Sequence, residues 1–153
     1  MRQAEGSFSG AGGVEIAWRS FADERPARAV VVIAHGLAEH GGRYGNVVET
    51  IVPQHFAVLA PDVRGHGRSG GERAVIEDAG LAVDDLAAVV ALAREQQPDV
   101  PAFVLGHGMV AALALLAARR DGAPDGLVLT APMLTPPRAT PVDATALSRD
   151  QAV

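Results

Sequence analysis

The chain contains no cysteine. Disulfide staples, thiolate zinc sites and a cysteine nucleophile are therefore excluded. Lysine is absent too: all 13 basic residues are arginine, scattered except for the adjacent pair Arg119-Arg120. With a net charge of −5 and no basic stripe to neutralise phosphates, the chain is not expected to bind nucleic acid. Long hydrophobic runs are missing as well. The longest, Met109 to Ala118, is too short to span a bilayer and suits a buried helix. No apolar segment follows Arg2 in the first residues, so a secretory signal is not expected, and the cytoplasm is the expected compartment.

What is present describes a globular domain. The 153 residues are 48% hydrophobic and 20% charged, with 17 Gly and 10 Pro, a composition that supports one domain with a real core and excludes wholesale disorder. Val14 to Arg19 alternates apolar and polar residues, the pattern of a half-buried strand. Ala29–Ala34, Phe56–Ala60, Ala102–Leu105 and Leu127–Ala131 are short, continuous apolar runs, which predict strands buried on both faces. Between them, helical spacing predicts helices from Arg43 to about Gln54, from about Leu81 to Gln96, and from Met109 to Arg120. Pro61 to Arg73, rich in Gly and Arg, is expected to be a loop. Buried strands alternating with amphipathic helices define an α/β fold, a mostly parallel sheet with helices on both faces.

In such sheets ligands sit at the carboxyl ends of the strands. Three segments fall there: His35-Gly36-Leu37, Pro61 to Gly71, and Gly106 to Val110. Gly65-His66-Gly67-Arg68-Ser69-Gly70 satisfies G-x-G-x-x-G formally, but Pro61-Asp62-Val63-Arg64 separates it from the strand and Gly70-Gly71 is a poor helix start, so a flexible turn is the better reading. Gly67 to Gly71 satisfies G-x-S-x-G formally, yet Ser69 has loop on both sides and reads as a loop serine. His35, Glu39 and His40 match no metal spacing, and no metal or cofactor is expected. Leu105-Gly106-His107-Gly108-Met109 has the strand, tight turn and apolar helix that a nucleophile elbow requires. Its central position is Gly108, not serine, and Val110 stands where a small residue would ease the turn.

The segments His35 to Tyr44, Asp62 to Gly71 and Leu105 to Met109 together resemble monoacylglycerol lipases, a group also described as lysophospholipases or serine-aminopeptidase-like α/β hydrolases. The resemblance runs from about Ser7 to Leu134 and covers the N-terminal half of that domain. It implies a truncated α/β-hydrolase fold over residues 1–134, with lid and last strands missing, followed by a Pro-rich tail over residues 135–153. It further implies that the N–H groups of Leu37 and Met109 are the oxyanion-hole donors, that Gly108 holds the nucleophile position, and that the family's substrate is a monoglyceride or similar lipid ester, with no cofactor.

In that family the Asp and His of the triad follow the serine, and no His follows His107 here. The expectation is a degenerate or truncated copy without ester hydrolysis of its own. The alternative is a non-catalytic binding module for a small acyl or anionic ligand. The strand at Leu127–Ala131, with nothing after it to pair, is expected to promote self-association.

Overall fold

The computed structural model describes residues 1–134; the tail expected over 135–153 lies outside them. Six strands form one mixed sheet: β1 (Arg2–Ser9), β2 (Glu15–Ala22), β3 (Ala29–Ala34), β4 (Phe56–Pro61), β5 (Ala102–His107) and β6 (Gly126–Thr130), in the order β1-β2-β4-β3-β5-β6. β1–β2 and β2–β4 pair antiparallel, while β4–β3, β3–β5 and β5–β6 pair parallel. Three helices connect the parallel strands: α1 (Gly45–Ile51), α2 (Ala79–Gln96) and α3 (Gly108–Ala117).

The period of two in a pleated strand sorts each apolar run onto two faces. Val30, Val32 and Ala34 of β3, Ala57 and Leu59 of β4, and Val104 of β5 pack with α2 and α3 through Leu86, Val89, Val90, Val110 and Leu113. Ile33, Val58 and Ala60 face the other way, onto Val48 of α1 and Val52 just after it. Each such aliphatic side chain contributes about 1.5–3 kcal/mol when taken fully out of water. Helices therefore lie on both faces, as the continuous runs require.

The helix ends have local causes. α2 starts two residues before its apolar spacing because the Asp78 carboxylate accepts hydrogen bonds from the Gly80 and Leu81 N–H groups at 2.7 and 3.4 Å. α3 stops at Ala117, short of the expected Arg120. There the Arg119 and Arg120 N–H groups bond three residues back, to Leu116 and Ala117, and Gly122 at φ +75° turns the chain toward β6. β1 was not expected from the sequence. It lies exposed along β2, joined to it through Gly12 and Gly13 at φ +68° and +78°. Asp85 of α2 secures that connection: one carboxylate oxygen accepts from Ala11 N–H (2.7 Å), the other from Arg64 Nε (2.7 Å), and Arg64 also donates to the Ala11 carbonyl (2.9 Å).

Candidate functional site

The parallel register places Ala34 beside Gly106, so β3 and β5 deliver His35-Gly36-Leu37 and His107-Gly108-Met109 to the same end of the sheet. The two segments touch: a Cβ on Gly36 would stand 2.9 Å from His107 Cδ2. Glycine at 36 makes this approach available.

The turn from β5 into α3 has the elbow form. Gly108 sits at φ +59°, in the left-handed region where a side chain is strained, although a Cβ there would meet open space. Close helix-to-strand packing is provided by Gly106, where a Cβ would lie 2.9 Å from Ala111 Cα. Val110 does not crowd the turn; it is buried in the main core against α2. Met109 lies in the first turn of α3, where backbone N–H groups have no intrahelical acceptor.

Leu37 is positioned by its neighbour. His35 is fully buried; its Nε2 accepts from the Val63 N–H at 2.8 Å, so its Nδ1 carries the proton and donates to the Gly36 carbonyl at 2.8 Å. Burial holds the imidazole neutral, lowering its pKa to about 4 against the opposing effect of the Gly36 hydrogen bond. The Glu39 N–H also reaches the Gly36 carbonyl, at 3.3 Å. That carbonyl shares a planar trans peptide with the Leu37 N–H, which therefore points the opposite way. Among the described residues neither the Leu37 nor the Met109 N–H donates to another group.

The rest of the His35–Tyr44 segment is tied down by carboxylates. Glu39 accepts from the Gly36 N–H (3.0 Å) and the Tyr44 hydroxyl (2.9 Å). Burial pushes its carboxyl up, but those two hydrogen bonds together with the nearby His107 and Arg43 bring the net shift down. Asp62, fully buried at the end of β4, accepts from the Gly41 N–H (2.8 Å), Arg19 (3.1 Å) and the Arg68 N–H (2.9 Å). Burial raises its pKa too, and here again the hydrogen bonds from Arg68, Gly41 and Arg19 bring the net shift down. Ser69 is buried: its hydroxyl donates to the Asp62 carbonyl at 2.5 Å and accepts from the Ala17 N–H at 2.9 Å. It is a structural loop serine, as its sequence context indicates. His107 Nδ1 lies 2.9 Å from the Thr130 hydroxyl. Sequence reading missed the Asp62 and Glu39 ties; their signal, a carboxylate beside glycine-rich loops, is present but does not identify its distant partners.

This sheet, with a left-handed glycine between β5 and α3, is the framework of the α/β hydrolases. Among solved structures, an open-form lipase aligns with a TM-score of 0.76 at 30% identity, over 84% of this chain and 44% of that one. A thermostable carboxyl esterase from Bacillus coagulans, solved with glycerol, aligns at 0.74 and 27%, over 84% and 44%. The family model described as serine aminopeptidase, S33, matches residues 25–150, and the chain belongs to that family. Monoacylglycerol lipase of Mycolicibacterium smegmatis is 40% identical over 131 residues, 85% of this chain and 47% of that protein. Monoglyceride lipase of Homo sapiens is 38% identical over 119 residues, 77% and 38%. The chain thus spans less than half the length of these curated relatives.

The Gly108 backbone yields a direct prediction. An Ala at position 108 meets no steric clash but must hold a left-handed conformation, so Gly108→Ala should lower stability by about 1 kcal/mol. Denaturant titration measures it; a variant as stable as the parent would mean the turn relaxes to negative φ.

Proposed function

We propose that this chain is a monoacylglycerol lipase-like member of its family that does not hydrolyse esters by itself. The observation that carries this reading is the glycine at 108: at the position from which a serine would attack the ester carbonyl, the chain offers no oxygen. In this reading the Leu37 and Met109 N–H groups, just past the ends of neighbouring strands, serve as the two donors of an oxyanion hole. The relatives' names supply the ligand class, a monoacylglycerol or similar small lipid ester.

A second reading has its own support. Two backbone donors without an acceptor among the described residues suit a carboxylate or acyl carbonyl, so the site can hold a small acyl or anionic ligand without turning it over. Among the described residues no helix is long and apolar enough to cross a membrane.

The test is hydrolysis of a short-chain nitrophenyl ester and of a monoacylglycerol by the parent and by Gly108→Ser, against an imidazole blank. Neither protein should show saturable turnover, because a serine without its base loses on the order of 10⁶ in rate. Saturable turnover in the parent would overturn the reading. Turnover in Gly108→Ser that vanishes on replacing His35, His66 or His107 would overturn the expectation that the chain supplies no base.

The outer edge of β6 has no strand partner among the described residues, and Val128 on it is 51% exposed. We propose self-association through this edge. Light scattering should show a dimer or larger species that Val128→Lys disperses; a parent that stays monomeric at high concentration contradicts it.

A further inference from the structure

Two Asp-Gly pairs occur in the sequence, Asp121-Gly122 and Asp125-Gly126, and the fold treats them differently. Both aspartates are exposed, and both stand in the connection between α3 and β6. An aspartate followed by glycine is the pair best suited to closing on itself, because glycine has no Cβ to obstruct its own backbone nitrogen and its peptide turns freely. Closure then depends on where the carboxyl group and that nitrogen are held.

At 125 both are committed. The Asp125 carboxylate accepts from the Ala102 N–H at 2.8 Å and from Arg94 at 2.9 Å, while the Asp125 N–H donates to the Ala102 carbonyl at 2.7 Å. The side chain thus faces the start of β5 and turns away from its own Gly126. The same hydrogen bonds, from Ala102 first and Arg94 second, hold the carboxyl below its ordinary pKa and keep it a carboxylate, the form that resists attack. Gly126 is the first residue of β6, in register with Phe103, and a Cβ there would lie 2.9 Å from the Phe103 ring.

At 121 neither is committed. Among the described residues Asp121 makes no hydrogen bond or ion pair, and the Gly122 N–H donates to no group. Gly122 stands at φ +75° with open space where a Cβ would be. The chain is anchored on either side of this peptide: the Arg120 N–H bonds the Ala117 carbonyl at 3.0 Å, and Arg94 donates to the Gly122 and Ala123 carbonyls at 2.7 and 2.9 Å.

We propose that Asp121 is a site of spontaneous isomerisation to isoaspartate in the folded chain, and that Asp125 is protected from it. The Gly122 nitrogen attacks Cγ of the protonated Asp121 carboxyl group. The N–Cγ bond forms, the Cγ–OH bond breaks, and the hydroxyl leaves with the amide proton as water, closing a five-membered succinimide. Water then adds to the main-chain carbonyl carbon of Asp121, and the original peptide C–N bond breaks, its electron pair and a proton returning to the nitrogen. One water is lost and one regained, and nothing is oxidised. The main chain now runs through Cβ, one methylene longer, and carries a new α-carboxylate. The added length falls between Arg120 and the Arg94 clamp, ahead of the strand whose Thr130 hydroxyl lies 2.9 Å from His107 Nδ1. This chemistry does not depend on the reading given to Gly108.

The experiment ages the chain in neutral buffer, folded and in parallel in denaturant, and then digests both samples after arginine. Residues 121–138 leave as one peptide that holds both pairs, so electron-transfer fragmentation compares the two sites within the same molecule. The expected result is isoaspartate forming at 121 at least tenfold faster than at 125 in the folded chain, and at comparable rates at both in denaturant. Equal rates at the two sites in the folded chain overturn the proposal. So does a folded chain that keeps aspartate at 121 while the denatured chain isomerises there. A preference for 121 that persists undiminished in denaturant overturns it too, because the local sequence alone would then set the rates.

Discussion

The carboxylate of Asp62 is the constraint on which the carboxyl end of this sheet depends. It stands at the end of β4, fully buried, and three segments that share no sequence neighbourhood donate to it: Gly41 from the loop after β3, Arg68 from the glycine-rich loop after β4, and Arg19 from β2. A buried charge survives only when its oxygens are satisfied, and here three donors converge, with the Arg68 guanidinium 3.9 Å away adding a compensating charge. Gly67 has to be glycine for the loop to pass: a Cβ there would lie 2.4 Å from an Asp62 oxygen. One ionised group therefore sets the path of two loops.

That arrangement explains how this end of the sheet keeps its shape whatever side chain stands at position 108. The loop that carries Leu37 is held by His35, Glu39 and Asp62, none of which touches position 108. The turn after β5 is held by the packing of Gly106 against Ala111 and by the hydrogen bond from Met133 N–H to the Gly108 carbonyl. A side chain at 108 would leave these contacts in place and cost only the strain of the left-handed backbone.

Much of this was readable in advance. The runs at Ala29–Ala34 and Ala102–Leu105 give strands because β-branched and apolar residues buried on both faces have no other economical use, and Leu81 to Gln96 gives a helix because its apolar residues recur at helical spacing. The left-handed turn at Gly108 followed from a strand, a glycine and an apolar helix in succession. β1 was not readable, because Arg2–Ser9 is almost wholly exposed and its pattern is set by its partner β2 and not by a core. Nor were the roles of Asp62 and Asp85. Their partners lie as far as 43 and 74 residues away, and spacing along the chain carries no trace of them. Ser69 shows the reverse: the sequence context excluded it as a nucleophile, and its two buried hydrogen bonds give the physical reason.

The most direct test of the account is hydrogen exchange in Asp62→Asn. The substitution keeps the size of the side chain but turns one acceptor into a donor, which then faces the Gly41 or the Arg68 N–H. The amides of Gly41 and Arg68 should lose at least about tenfold in protection, some 1.4 kcal/mol, relative to Val32 and Val104 in the centre of the sheet. Unchanged relative protection at both loop amides would contradict the claim that this carboxylate holds the site together.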